Sequence, residues 1–138
     1  MVLSKGKGSE MDTVKVLIID DEEDLTFFIK ANLELVGNFE VITATTGKKG
    51  IAIAASTDID IILLDIMMPR MNGFEVLEKI KRIKGILSIP VIMLTAKGDI
   101  ESKIKAASLY NEDYIVKPVH IEMLKLKIEE ALKRRGVE

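Results

Sequence analysis

The sequence predicts an α/β protein with a parallel, doubly wound sheet of five strands and helices on both faces. Short apolar runs alternate with segments of helical periodicity, which is the order expected of a parallel sheet with right-handed crossovers. At residues 60–65, four consecutive apolar residues run into an aspartate, which is typical of a strand buried on both faces. Four strands end in polar residues, as expected for a site at the carboxyl edge of the sheet.

The length and composition favour one folded domain. The chain has 138 residues, enough for one sizeable core and too few for two ordinary domains. Hydrophobic residues make up 48% and charged residues 30%, which is typical of a globular domain. We expect the domain at residues 13–135, followed by a short tail at 136–138. Residues 1–12 are largely polar and contain two glycines, so we expect a flexible tail or a remnant of an expression vector.

Several classes of function and location are disfavoured. The net charge is −2, so there is no basic excess to predict direct nucleic-acid binding. The absence of cysteine excludes disulfides, thiolate metal sites and cysteine nucleophiles. No apolar run approaches the ~18 residues needed to span a bilayer, and the N-terminus lacks the apolar region of a signal peptide. We therefore expect no membrane partner and a cytoplasmic location.

The first half of the chain is predicted to contain two strands and two helices. The apolar run at residues 14–19 predicts the first buried strand. Residues 22–36 predict a helix, because apolar residues recur every three or four positions and acidic residues 21–24 lie where the helix dipole favours them. Alternation at residues 39–44 predicts a second strand, and residues 47–55 predict a short helix rich in Ala and Ile.

The second half continues the same alternation. Its predicted helices have apolar residues at spacings of three and four, and its predicted strands are short apolar runs. The predicted elements are the central strand at 60–65, a helix at 72–84, a strand from 90 that ends at Thr95, a helix at 99–109, a short strand at 113–116 and a last helix at 121–134.

Polar residues at the strand ends predict a site. The first strand ends at Asp20 and Asp21, the central strand at Asp65, the fourth at Thr95 and the fifth at Lys117. Neighbouring carboxylates repel each other, and a divalent cation would remove that conflict. Oxygen ligands, without cysteine and with one histidine in the chain, favour Mg²⁺. A carboxylate nucleophile, Mg²⁺, an ammonium and a hydroxyl are the groups that phosphoryl transfer needs.

Five motifs occur in order along the chain. They are Leu-Ile-Ile-Asp-Asp-Glu at 17–22, Leu-Leu-Asp-Ile-Met-Met-Pro at 63–69, Met-Asn-Gly at 71–73, Pro-Val-Ile-Met-Leu-Thr-Ala at 90–96 and Asp-Tyr-Ile-Val-Lys-Pro at 113–118. Together they resemble the receiver domain of two-component response regulators (CheY-like) over roughly residues 13–135. The resemblance implies a flavodoxin-like (βα)5 sandwich with strand order 2-1-3-4-5.

The resemblance also implies a role for each site residue. Asp65 is expected to be the phosphoacceptor, and Lys117 to contact the phosphoryl group. The implied Mg²⁺ ligands are the carboxylates of Asp21 and Asp65, Asp20 through water, and the backbone carbonyl of Met67. The peptide bond between Lys117 and the following proline is expected to be cis, an isomer found almost only before proline.

The implied switch and output face involve further residues. Thr95 is expected to turn toward the phosphoryl group, and Tyr114 to change rotamer. The positions that tune dephosphorylation are Met67 and Lys97; neither has a carboxylate or amide to orient water, so we expect a long-lived aspartyl phosphate. Four charged residues have two interpretations: a solvated surface, or the contacts of a phosphorylation-dependent homodimer. They are Lys103, Glu112, Asp113 and Lys127.

The expected function is therefore two-component signal transduction. The donor would be a sensor histidine kinase or a phosphotransfer protein, and the output a downstream effector or a fused output domain. We expect no enzyme, but a phosphoacceptor switch with intrinsic Mg²⁺-dependent autophosphorylation and autodephosphorylation. A pseudo-receiver that acts only as an interaction module is one alternative. An FMN-binding flavodoxin is another, suggested by residues 43–47. One departure from the family is Tyr110-Asn111, where receivers usually have Gly-Ala.

Overall fold

The computed structural model of the chain describes residues 12–96, 98, 101, 105 and 112–135. The elements are β1 (Val14–Ile19), α1 (Glu23–Val36), β2 (Phe39–Ala44), α2 (Gly47–Ser56), β3 (Ile61–Asp65), α3 (Gly73–Lys81), β4 (Val91–Thr95), β5 (Asp113–Val116) and α4 (Ile121–Arg134). In these ranges no helix has the length and apolar character needed to cross a membrane. Most of the helix predicted at 99–109 lies outside the described residues, as do Lys97, Lys103, Tyr110 and Asn111.

The five strands form one parallel sheet in the order β2-β1-β3-β4-β5. This confirms the predicted flavodoxin-like topology. Strand β3 lies between β1 and β4, and its four apolar residues, Ile61, Ile62, Leu63 and Leu64, are all 0% exposed. The continuous apolar run in the sequence therefore reflects a strand whose two faces are both covered by helices.

Two apolar layers lie on opposite faces of the sheet. Side chains alternate along a strand, so neighbouring residues of β1 enter different layers. Leu17 packs in the layer that includes residues of α2 and α3, whereas Ile18 packs in the layer that includes residues of α1 and α4. Leu64 and Leu63 divide in the same way on β3. With both faces packed, the polar residues at the strand ends are left at the edge.

The helix α3 (Gly73–Lys81) begins one residue later and ends three residues earlier than the helix predicted at 72–84. Asn72 precedes the helix as its N-cap, and its side chain accepts a hydrogen bond from Glu75 N in a capping box. After Lys81 the chain continues in turns, and the Ile83 N–H bonds to a carbonyl only three residues earlier. Gly85 then adopts φ +103°, a conformation that ends regular helix and suits glycine.

Candidate functional site

Three aspartates meet at the carboxyl edge of the sheet. Asp65 is the last residue of β3, and Asp20 and Asp21 follow β1 directly. One carboxylate oxygen from each can be chosen so that all three lie within 4.8 Å of one another. The Asp20 N–H donates to the carbonyl of Ala44 at the end of β2, at 3.0 Å. The backbone of the sheet therefore fixes where this carboxylate lies.

A glycine allows the loop after β3 to close tightly behind the acidic cluster. The Gly73 N–H donates to the Ile66 carbonyl at 2.8 Å, and Gly73 begins α3. A Cβ at this position would collide with the backbone carbonyl oxygen of Asp65. The Asn72 cap and Gly73 thus hold the start of α3 directly against the backbone of the predicted phosphoacceptor.

The Lys117 ammonium reaches the same place from the end of β5. The Lys117 N–H donates to the Thr95 carbonyl at 2.7 Å, which holds the loop against the end of β4. Its Nζ lies 3.3 Å from Asp65 Oδ1 and 3.2 Å from Asp20 Oδ2. It lies closer still, at 2.7 Å, to Glu22 Oε1. Glu22 has no role in the predicted site; the only sequence signal is its place directly after the aspartate pair.

Burial and repulsion perturb the ionisation of these groups. Burial raises the pKa of Asp65 to about 6; the charge of Asp20 adds to the rise, and Lys117 opposes it. Burial likewise raises the pKa of Asp20. Burial would lower the pKa of Lys117, but the Glu22 hydrogen bond and the charges of Asp20 and Asp65 outweigh it and raise that pKa. The aspartates therefore carry more negative charge than one lysine neutralises.

The cluster fits a hard divalent cation. Asp20 is fully buried, yet its Oδ2 accepts no hydrogen bond from any described residue, and the Lys117 ammonium lies 3.2 Å away as an ion-pair partner. A buried carboxylate oxygen left in this way costs free energy. A cation among Asp20, Asp21 and Asp65 would supply the missing interaction, and an all-oxygen ligand set suits Mg²⁺. The Met67 N–H makes only a long contact, 3.4 Å, to Asp65 Oδ1.

The predicted switch residues lie on the neighbouring strands. Thr95 is fully buried at the end of β4, and its hydroxyl makes a long contact of 3.5 Å to the Ala96 carbonyl. Tyr114 on β5 is 37% exposed. The Lys117-Pro118 bond is cis, which confirms that prediction. The roles of Thr95 and Tyr114 in switching stay predictions.

Three of the four charged residues predicted for a dimer face, Glu112, Asp113 and Lys127, have partners within the chain. Glu112 Oε1 accepts from Val91 N at 3.0 Å, and its Oε2 lies 2.6 Å from Lys81 Nζ, with the Glu112 side chain 11% exposed. Each Glu112 oxygen therefore has a partner within its own chain, and the role of Glu112 in a dimer stays a prediction. Asp113 pairs with Lys127 at 3.1 Å.

The fold and the site together define a class of protein: a flavodoxin-like sandwich with a cluster of aspartates and a lysine at its carboxyl edge. The family model described as "Response regulator receiver domain" matches residues 16–129. The chain belongs to this family of receiver domains of two-component signalling systems.

Named relatives agree with this assignment. The chain is 37% identical over 120 residues to "DNA-binding dual master transcriptional regulator RpaA" of Synechocystis, covering 87% of this chain and 49% of RpaA. It is 42% identical over 119 residues to "Response regulator SaeR" of Staphylococcus aureus, covering 86% and 50%. The chain thus spans about half the length of these curated relatives. A crystal structure of a receiver domain protein from Clostridium thermocellum has TM-score 0.81 and 34% identity, covering 89% of this chain and 97% of that one.

Proposed function

We propose that this chain is a phosphoryl-accepting receiver in which Asp65 is the acceptor. The observation that supports this most directly is the position of Asp65, whose carboxylate lies beside two further aspartates and 3.3 Å from the Lys117 ammonium. A nucleophilic oxygen and a fixed positive charge are thereby close enough to act on one phosphoryl group.

The proposed donor is a phosphohistidine of a sensor histidine kinase or a phosphotransfer protein. A carboxylate oxygen of Asp65 forms a bond to phosphorus as the phosphorus–nitrogen bond of the donor breaks, and the histidine nitrogen keeps the electron pair. Asp21 and Asp65 would hold Mg²⁺ through their carboxylates, Met67 through its backbone carbonyl and Asp20 through water, and the ion would neutralise charge on the phosphoryl oxygens. Lys117 binds another of those oxygens and keeps the group in line with Asp65.

The chain is proposed to be modified rather than to turn over a substrate as an enzyme does. Water resets it by attacking phosphorus, which breaks the phosphorus–oxygen bond to Asp65 and releases inorganic phosphate. Met67 is 65% exposed and has no carboxylate or amide to orient that water. We therefore expect a long-lived aspartyl phosphate, and a half-life of seconds in Mg²⁺ would contradict this.

Phosphorylation is proposed to act as an electrostatic switch. It adds about 1.5 to 2 negative charges at neutral pH. The added charge attracts Lys117 and the buried Thr95 hydroxyl, and the population shifts toward a state in which the surface around Tyr114 is repacked. The proposed readers of that surface are a downstream protein effector, a fused output domain or a second receiver.

Phosphoramidate labelling tests the proposal. Incubation with phosphoramidate and Mg²⁺ should add the mass of one phosphoryl group, measured by intact-protein mass spectrometry, and Asp65→Asn should abolish the addition. Asp58→Asn is the matched control, because Asp58 is exposed before β3 and should label like the wild type. A wild-type chain that gains no mass would favour the pseudo-receiver, and yellow, FMN-bound protein would favour the flavodoxin.

A further inference from the structure

Lys117 forms an ion pair with Glu22, which is not one of the three clustered aspartates. Lys117 Nζ lies 2.7 Å from Glu22 Oε1, closer than to either Asp20 or Asp65, at 3.2 and 3.3 Å. An ammonium has three N–H donors, and here three carboxylates surround it. Lys117 must therefore weaken one of these contacts before it can bind an oxygen of an incoming phosphoryl group.

Among the described contacts, the Glu22 side chain makes its hydrogen bond and ion pair with Lys117. It is the N-cap of α1, but its side chain makes no capping hydrogen bond. Its backbone provides the local structure: the Glu22 N–H donates to Asp20 Oδ1 at 2.9 Å, and its carbonyl accepts from Thr26 N at 3.1 Å. Changing the side chain should therefore leave the start of the helix and the position of Asp20 in place.

Charge decides the direction of the effect. With Asp21, which lies beside Asp20 and Asp65, the cluster has four carboxylates and one ammonium, a formal net charge of −3 when all are ionised. Three of the carboxylates belong to the cation site, and Glu22 does not. It is therefore the partner that still holds Lys117 once a cation has neutralised the others.

We propose that Glu22 is a positioning residue that holds Lys117 back from the phosphoryl group. This rests on the proposed function of Asp65 as acceptor. The Glu22 carboxylate attracts the cation, repels the anion and competes with the anion for Lys117. Because Glu22 is 60% exposed, solvent weakens the ion pair, so its removal should change affinities by a few fold rather than abolish binding.

Two titrations of Glu22→Gln with opposite expected signs test this. Calorimetry with Mg²⁺ alone should show a dissociation constant about 2- to 5-fold higher than the wild type. Beryllofluoride, a noncovalent mimic of a phosphoryl group, should bind about 2- to 5-fold more tightly at saturating Mg²⁺, measured by ¹⁹F NMR. The matched control is Asp24→Asn, which removes one negative charge from the first turn of the same helix. Asp24 has no ion pair with Lys117 among the described contacts, so both constants should stay within about twofold.

The outcomes separate the possible explanations. If Glu22→Gln weakens both ligands, or behaves like Asp24→Asn for both, the positioning role is overturned. Weaker binding of Mg²⁺ together with tighter binding of beryllofluoride supports the role, since a merely structural defect would not raise the affinity for either ligand. A wild-type chain that binds Mg²⁺ but neither binds beryllofluoride nor is labelled by phosphoramidate overturns the proposed function of Asp65, and the role of Glu22 with it.

Discussion

The carboxylates at the two edges of the sheet differ in how far their charges are matched by hydrogen-bond donors and cations. At the amino edge, Glu112 accepts a hydrogen bond from Val91 N and lies 2.6 Å from the Lys81 ammonium. Asp60, before β3, accepts a hydrogen bond from Lys15 N at 2.9 Å. Both of these acids thus have donors of their own, and each contact ties the start of one strand to a neighbouring element.

At the carboxyl edge, the carboxylates outnumber the positive charges. Asp20, Asp21 and Asp65 lie together with one ammonium nearby, and a buried oxygen of Asp20 accepts no hydrogen bond from the described residues. Burial also raises the pKa of Asp65 to about 6. The difference teaches where stability and function lie: the amino edge stabilises the fold, whereas the carboxyl edge keeps an electrostatic cost that a bound cation can relieve.

Glu112→Ala should remove the contacts of Glu112 at the amino edge and cause the largest change in the free energy of unfolding. It leaves Val91 N without its acceptor and the mostly buried Lys81 without its counter-ion, so the free energy of unfolding should fall by about 2 to 3 kcal/mol. Urea unfolding measures this. Glu78→Ala removes an exposed helical pair with Arg82 and should cost about 0.5 kcal/mol or less. An equal loss of unfolding free energy in the two variants would show that the Glu112 contacts stabilise the fold no more than an exposed ion pair does.

Asp65→Asn should remove a buried negative charge from the carboxyl edge and so raise the free energy of unfolding. The pKa of Asp65 is raised from 3.8 to about 6 by folding, so the folded state binds its proton more tightly. Stability is therefore lost as pH rises between these values and the loss is complete above about 6. Without metal at pH 7, the variant should be about 2 kcal/mol more stable, because Lys117 keeps Asp20 and Glu22 as partners.

The pH series supplies the control for that variant. Urea unfolding in EDTA should show the gain at pH 7 and almost none near pH 3.5, where Asp65 is mostly protonated in both the folded and the unfolded wild type. A gain of the same size at both values would show that the charge of Asp65 is not its cause.

Mg²⁺ should remove the same cost by binding. At ten times its dissociation constant, a cation that binds only the folded state stabilises by about 1.4 kcal/mol. The thermal midpoint of the wild type and of Asp58→Asn should rise accordingly, and that of Asp65→Asn should rise by less than half as much. Equal rises in all three would place the bound cation elsewhere.

Much of the fold follows from patterns within short stretches of sequence. The apolar run of β3 identified a doubly covered strand, and its end identified Asp65. Parallel strands share one carboxyl edge, so Asp20, Asp65 and Lys117 could be placed together without knowledge of their side chains. The local pattern identifies each strand and its last residue, and the parallel sheet then brings these strand ends together at one edge.

Contacts between distant side chains could not be predicted in this way. Glu22 and Lys117 are 95 residues apart, and their 2.7 Å contact depends on the rotamers and on the loops after β1 and β5. The contact of Lys81 with Glu112 depends likewise on where α3 ends. That end was predicted three residues too late, because helical periodicity continues through Ile83 while the backbone has already changed to turns.

The smallest effect is expected at the rim of the sheet, from Lys127→Ala. Asp113 accepts from Lys127 Nζ at 3.1 and 3.3 Å, but both side chains are partly exposed, and Arg134 lies 4.0 Å from the same carboxylate as a second cation. The free energy of unfolding should therefore fall by about 0.5 kcal/mol in urea. Lys125→Ala, which removes an exposed pair with Glu129, should cost no more.

The same variant bears on the predicted homodimer. An interprotomer ion pair through Lys127 has to replace the one that Lys127 already makes with Asp113, so its net gain is the difference between two exposed pairs. Sedimentation with Mg²⁺ and beryllofluoride should show a wild-type dimer that Lys127→Ala weakens and Lys125→Ala does not. An unchanged dimer would mean that Lys127 pairs only with Asp113 of its own protomer.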